Sequence, residues 1–350
     1  MTHSNRTLVY FEKWMDPVGP EIIEGEAGIG LRRLGFADDE EANWAALADA
    51  HGYQMLPAFE IQPPFIPDKA LIGRCPNMLA FSVSGAGYDI VDIEACNENG
   101  ILVVNQTGSN AESVAQHVLA MMLALSKQII QGDRRMRLGP DGWGRWDFKG
   151  RELTGRTLGI IGLGNIGQRV SALAGGLFEM KVLAYDPYIG EDDFRDRGAR
   201  PVDFDDIFSQ SDFVSVNCPL SEETTAMIGA REYRMMKPSA YFITTARGGI
   251  HDEAALADVL DEGLVAGAGL DVFDPEPPPA DHPLMGFDNV LLSPHVAGIT
   301  DESTHNMASW AAEQWLTIFR GRRPPRLINP EVWPAYRERY RRVTGDNAED

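Results

Sequence analysis

Gly162-Leu163-Gly164-Asn165-Ile166-Gly167 is the stretch on which the reading of this chain turns. It fits G-x-G-x-x-G, follows the apolar run Thr157 to Ile161, and opens a helical pattern carrying Val170, Leu173, Ala174 and Leu177. In such a loop the first glycine allows the tight turn and the second lets backbone approach a pyrophosphate. The third lets helix and strand pack closely. The helix N-terminus adds unpaired N–H groups and a partial positive charge. The motif alone is weak, but here a strand, a helix and a downstream acid agree. Asp186 closes the next strand candidate, Lys181 to Tyr185, about 20 residues on. A carboxylate there accepts hydrogen bonds from the ribose hydroxyls of NAD and repels the 2′-phosphate of NADP. Its neighbours Tyr185, Pro187, Tyr188 and Ile189 include no Arg to hold that phosphate. The competing reading of Asp186 is a turn or helix-capping residue. The cofactor expected is NAD.

Outward from the loop, strand candidates continue at Phe213 to Asn217, Tyr241 to Thr245, Ala266 to Val272 and Val290 to Leu292. With the two already named they are six, enough for a doubly wound nucleotide-binding sheet. Before the loop, Thr7 to Phe11, Met78 to Val83 and Ile101 to Val104 read as strands, and Glu40 to His51 as a helix. Residues 12–35 are rich in Gly and Pro and read as irregular. A long helix is expected from about Asn110 to Ile130, then a loop with Gly139-Pro140, Trp143 and Trp146. Another helix is expected over Thr300 to Arg320, with a charged, frayed tail from Tyr336. At 350 residues the chain is long enough for two domains.

Composition narrows the function classes. Apolar residues are 44% and charged residues 24%, as in a soluble globular protein. The longest apolar run, Val118 to Leu125, is far short of a membrane span, and Met1 to Arg6 leads into no apolar h-region. Cys75, Cys96 and Cys218 are widely separated, which reads as reduced thiols and a cytoplasmic location. The formal net charge of −21 disfavours nucleic acid and anionic membranes as partners. An anionic ligand therefore needs a local positive device.

Three segments beyond the loop place one charged or titratable residue just after an apolar strand. They are Thr244-Thr245-Ala246-Arg247-Gly248-Gly249, Gly269-Leu270-Asp271-Val272-Phe273-Asp274-Pro275-Glu276-Pro277, and Ser293-Pro294-His295-Val296-Ala297-Gly298. Ligands bind at that edge of open α/β sheets. Taken singly each has a dull explanation: a surface ion pair for Arg247, a solvated acid for Glu276, a satisfied loop histidine for His295.

Jointly, in order and spacing, these segments resemble the signature blocks of the D-isomer-specific 2-hydroxyacid dehydrogenase family. So do the phosphate loop, Gly85-Ala86-Gly87-Tyr88-Asp89 and Glu112-Ser113-Val114-Ala115-Gln116-His117; the resemblance runs from about residue 70 to 330. It implies a substrate domain at 1–109 and 300–350 and an inserted NAD-binding Rossmann domain at 110–299, both doubly wound, separated by a cleft. It implies that His295 is the acid/base, that Glu276 orients and charges its ring, and that Arg247 grips the substrate carboxylate, with amides of Ala86 and Gly87 on its other side. It further implies that Asp271 and Thr245 hold the nicotinamide, that Cys218 and Pro219 border the adenine, and that Ala246 and Gly298 join Gly162, Gly164, Asn165, Ile166, Gly167 and Asp186 around NAD. No metal site is implied, and a homodimer is, with the Trp143–Trp146 loop as a contributor.

Gln116 departs from the family, which commonly has Glu there. Phe59-Glu60-Ile61-Gln62-Pro63-Pro64-Phe65 carries no cation where the family's phosphoglycerate enzymes present arginines. The expected substrate is therefore an unphosphorylated D-2-hydroxy or 2-oxo acid, hydroxypyruvate- or glyoxylate-like, or one with an apolar tail near Phe65. Two alternatives stand beside it: an NAD(H)-sensing, corepressor-like interaction protein, and a phosphite-type dehydrogenase.

Overall fold

The computed structural model describes residues 6–56 and 60–349; Phe59 and residues 1–5 lie outside the described residues. The chain divides into two compact units, residues 1–110 with 300–350, and residues 111–299.

The first unit begins with β1 (Arg6–Phe11), α1 (Val18–Glu24), β2 (Ile29–Leu34), α2 (Glu40–Asp49), β3 (Gly52–Met55), α3 (Lys69–Arg74), β4 (Ala80–Val83), α4 (Ile93–Glu98) and β5 (Leu102–Val104). The sheet is parallel with order β2-β1-β3-β4-β5. Trp44, Leu47, Leu71, Ile72, Ala95 and Cys96 from α2, α3 and α4 cover one face.

The second unit contains α5 (Ala111–Ser126), α6 (Ile129–Arg137), β6 (Thr157–Ile161), α7 (Asn165–Phe178), β7 (Lys181–Tyr185), α8 (Glu191–Asp196), β8 (Arg200–Pro201), α9 (Phe204–Gln210), β9 (Phe213–Val216), α10 (Ala230–Met235), β10 (Tyr241–Thr244), α11 (Glu253–Asp261), β11 (Gly267–Leu270) and β12 (Val290–Leu292). Its sheet is also parallel, ordered β12-β11-β10-β9-β6-β7-β8. The strand order reverses between β6 and β9, where a doubly wound sheet opens its ligand crevice. Side chains from α9, α10 and α11 cover one face and from α5, α7 and α8 the other.

The chain then returns to the first unit with α12 (Asp301–Phe319) and α13 (Trp333–Thr344). Thr300 caps α12 by accepting from Ser303 N. Ala308, Ala311, Trp315, Ile318, Tyr336 and Tyr340 close the second face of that unit's sheet over Leu8, Leu79, Leu102 and Val104.

Four sequence expectations are corrected. Residues 12–35 are not irregular: they hold α1 and β2. Pro20 stands in the first turn of α1, where no intrahelical N–H is required, and β2 is an edge strand whose exposed Arg32 and Arg33 hide its apolar pattern. The helix expected to Ile130 stops at Ser126, because Gln128 takes φ 53° before α6 starts. The tail from Tyr336 is not frayed: Arg339 is buried and donates to the carbonyls of Met78 (2.6 Å), Asn99 (2.9 Å) and Pro76 (3.0 Å). Phe65 does not line a pocket; it packs in the core against Phe11 (4.7 Å between centroids) and Trp44 (5.2 Å).

Candidate active site

The phosphate loop is built at the order reversal of the second sheet. Gly162, at φ 86°, follows β6, and a Cβ there would lie 2.7 Å from Cys218 N beyond β9. A Cβ on Gly167 would lie 2.1 Å from the Gly162 carbonyl, so α7 starts in backbone contact with the turn. A Cβ on Gly164 meets no protein atom within 4 Å. That open space, at the N-terminus of a helix with no side-chain cap and no acid in its first turn, is the cradle a pyrophosphate fills. Asn165 and Ile166 form the first turn of α7, with Ile166 packed on the core. The residues present therefore fit a dinucleotide.

Asp186 closes β7 and accepts from Leu163 N (2.9 Å) and Tyr188 N (3.0 Å). Each carboxylate oxygen has a second lone pair, so capacity for ribose hydroxyls remains. Cys218 is half-buried, and burial pushes its thiol up to about 11, so it serves as apolar wall, with Pro219 next to it. Thr245 follows β10, and its buried Oγ1 has no hydrogen-bond partner among the described residues. Ala246 accepts from Arg247 Nη1 through its carbonyl (2.8 Å).

His295 and Glu276 meet as the family resemblance implies: His295 Nδ1 lies 2.8 Å from Glu276 Oε2, with side chains 24% and 19% exposed. Glu276 Oε1 accepts from Phe273 N at 2.9 Å. Burial opposes ionisation of Glu276, but the His295 and Phe273 hydrogen bonds and the nearby Arg247 charge outweigh it and hold the carboxyl below its ordinary range. Arg247 thus stands within electrostatic reach of the pair. Its turn also presses on the Glu276 loop, since a Cβ on Gly248 would lie 2.0 Å from Phe273 O.

Asp271 has a role that sequence reasoning missed. Its carboxylate, 1% exposed, accepts from Ser293 Oγ (2.6 Å), Val296 N (2.9 Å) and Ala297 N (2.8 Å). Its carbonyl accepts from His295 N (2.8 Å). These bonds hold His295 at φ 53°, a left-handed conformation that costs a non-glycine residue about 1–3 kcal/mol. His117 Nε2 supports Ser293 Oγ from α5 (3.0 Å), and Ser113 Oγ donates to Ala297 O (2.7 Å) beside Gly298. The sequence signal was the pair of blocks themselves, Asp271 in one and Ser293 in the other. Gln116 has a clear job too: its amide donates to Glu112 (2.8 Å), which Arg169 of α7 also holds, where a second carboxylate would repel.

In the first unit, Ala86 and Gly87 follow β4. Gly85 O accepts from Gln106 N (2.8 Å) and Ala86 O from Asn105 Nδ2 (2.6 Å). In a trans peptide the N–H lies opposite the carbonyl, so fixing these carbonyls also fixes the N–H groups of Ala86 and Gly87. Among the described residues no group of three His, Cys, Asp or Glu could hold a metal ion.

Residues 119–297 match the model for the D-isomer specific 2-hydroxyacid dehydrogenase NAD binding domain. A glyoxylate reductase from Korarchaeum cryptofilum is 38% identical over 267 residues, 76% of this chain and 80% of that protein. A D-3-phosphoglycerate dehydrogenase from Archaeoglobus fulgidus is 39% identical over 269 residues, 77% of this chain, which spans 50% of that longer relative. The solved D-lactate dehydrogenase from Aquifex aeolicus, complexed with NAD and lactic acid, superposes with a TM-score of 0.77 at 26% identity, covering 92% of this chain and 98% of that one. A glyoxylate reductase structure from Paecilomyes thermophila gives a TM-score of 0.81 at 25% identity over 94% and 99%. The chain belongs to the D-isomer-specific 2-hydroxyacid dehydrogenase family, as an NAD-dependent oxidoreductase of CH–OH groups.

Proposed function

We propose that this protein interconverts a short, unphosphorylated D-2-hydroxy acid and its 2-oxo acid, and the observation that carries the reading is the 2.8 Å His295–Glu276 pair with the Arg247 charge beside it. Bound NAD supplies the hydride chemistry. Glu276 occupies Nδ1 of His295, which leaves Nε2 to give a proton to the ketone oxygen or take one from the hydroxyl. Glu276 also stabilises the ring in its protonated form. Arg247 holds the substrate carboxylate with its planar fork and offsets charge growing on the reacting oxygen. The fixed amides of Ala86 and Gly87 receive the carboxylate's other side. Gly162, Gly164, Asn165, Ile166, Gly167 and Asp186 hold pyrophosphate and ribose, and Cys218, Pro219, Thr245, Ala246 and Gly298 complete the cofactor site. Asp271 acts on His295 through the loop it ties. Residues 110–299 serve as the cofactor domain, and the unit formed from both chain ends as the substrate domain.

The tail of the substrate is polar or absent. A cavity of about 670 Å³ at the order reversal of the first sheet is lined by Glu12, Lys13, Phe36, Leu56, Glu60 and Gln62. Lys13 is the cation that lines it, and it is matched by Glu60 (3.5 Å); Glu12 on the same wall is in turn paired with Arg33 (3.6 Å). Matched charges give a phosphate no surplus cation, and Phe65 is spent in the core. This favours glyoxylate- or hydroxypyruvate-like acids over phosphorylated or alkyl-tailed ones.

Ile129, Met136, Leu138 and Trp146 expose a cluster of apolar side chains on and after α6 that suits a second copy in a homodimer. Three unpaired cysteines suit a reducing, cytoplasmic setting.

The test is NADH oxidation against a panel of 2-oxo acids. Turnover is expected with glyoxylate and hydroxypyruvate, exceeding that with 2-oxohexanoate or phosphohydroxypyruvate. Arg247→Ala is expected to lower kcat/KM about 100-fold or more while NADH still binds. Tight NADH binding with no turnover on any acid would replace this reading by the sensor.

A further inference from the structure

The site contains a second histidine–carboxylate pair, and it lies outside the chemistry described above. Glu253 is the first residue of α11, and its Oε2 is 2.7 Å from His282 Nε2, with side chains 11% and 10% exposed. The two pairs use their rings differently. His282 Nδ1 accepts from Leu284 N (3.4 Å) while Nε2 faces Glu253, so both nitrogens are engaged within the protein. His295 instead turns Nδ1 to its carboxylate. His282 is therefore built to hold, and His295 to exchange.

What the second pair holds is the Phe273–Asp274 peptide. Glu253 Oε1 accepts from Asp274 N (2.9 Å), and the neighbouring Phe273 N donates to Glu276 (2.9 Å). Phe273 O is the atom against which Gly248 of the Arg247 turn closes. The His282 ring meets Phe273 edge-on at 5.8 Å. Two consecutive peptide units thus meet at Phe273: the Val272–Phe273 unit gives its N–H to Glu276, and the Phe273–Asp274 unit abuts the Arg247 turn with its carbonyl and gives its N–H to Glu253.

We propose that Glu253 and His282 are positioning residues for the reaction: they clamp the Phe273–Asp274 peptide, which abuts the Arg247 turn and adjoins the peptide that anchors Glu276 against His295. The inference rests on the dehydrogenase reading, which the wild-type enzyme tests separately through turnover of glyoxylate.

The experiment compares Glu253→Ala, Glu253→Gln and His282→Ala in the full chain. Glu253→Ala is expected to lower kcat about 10–100-fold, the scale of a small misplacement of catalytic groups, with KM for NADH changed less than about 2-fold. The acid limb of its kcat/KM profile is expected to move to higher pH, because Glu276 loses part of the Phe273 hydrogen bond that helps hold its carboxyl low. Glu253→Gln keeps an acceptor for Asp274 N and is expected to recover at least about 10-fold of the loss. His282→Ala is expected to move the same quantities in the same direction, and it carries the test should Glu253→Ala fail to bind NADH. The His295 ring resonances, followed by NMR at fixed pH, are expected to shift in Glu253→Ala whether or not any acid turns over. Wild-type kcat, pH profile and His295 resonances in both alanine variants would overturn the proposal. So would a kcat loss that Glu253→Gln does not reverse and that leaves the pH profile in place, since that is damage without positioning.

Discussion

Two carboxylates hold His295 by different means. Asp271 acts on the backbone and fixes an unfavourable φ, while Glu276 acts on the ring. Their removal should separate. Glu276→Gln keeps the shape of the loop but loses the charge that stabilises a protonated ring, and kcat/KM is expected to fall about 100-fold or more. It also changes the response to acid. Glu276 is held below the ordinary carboxylate value of about 4.3, so its ionised form favours the folded chain. That contribution is complete above the ordinary value and fades as pH falls through the lowered one. The Tm gap between wild type and Glu276→Gln should stay constant above about pH 6 and narrow below about pH 4; a gap that widens on acidification would contradict it. At this scale Arg247, Glu276 and His295 could be singled out only jointly: each follows an apolar strand, which alone admits a dull reading, and the order and spacing of the three blocks resemble the family's. The work of Asp271 and of Glu253 was not, because it consists of hydrogen bonds to loop atoms that only the folded chain brings near.

Strand β6, its turn and helix α7 form the element that takes the cofactor, and its glycines divide by what surrounds them. Gly167→Ala drives a methyl into the Gly162 carbonyl, so it should lower Tm by several degrees and weaken NADH binding about 10-fold or more. Gly164→Ala meets open space and should leave Tm within about 2 °C while still weakening NADH about 10-fold. Unchanged NADH affinity in Gly164→Ala would mean that the space at Gly164 has no bearing on phosphate. Elements such as this were readable because strand, turn and helix each carry their own local signal. The strand β3 was not, since Gly52 and Gln54 interrupt its apolar run. Gly52 gives way to the Trp315 ring, and Gln54 accepts from Trp315 Nε1 at 2.9 Å, so its pattern makes sense only with α12 in place. The same holds for α13, whose Tyr336, Arg339 and Tyr340 share a face that reads as a charged tail until the sheet beneath is known.

Over the whole molecule the charge is −21, and the cations that matter are those placed against it. Arg339 is buried in the first unit, and burial lowers its guanidinium to about 10. Arg339→Ala would strand the carbonyls of Met78, Asn99 and Pro76, and the expected loss is about 3 kcal/mol or more in denaturant unfolding. A loss under about 1 kcal/mol would show that water satisfies those carbonyls instead.

The sheet that β1 opens is covered on one face by α1 and, over most of its width, by α12 and α13, roughly 300 residues downstream. At the usual pace of synthesis, between 5 and 20 residues per second, β1 leaves the ribosome about 15–60 s before its lid exists. The inserted unit has no such wait, since all of its strands and helices are contiguous. The half made first is therefore finished last, and through that interval the apolar row of Leu8, Leu79 and Leu102 is a surface for a chaperone to guard.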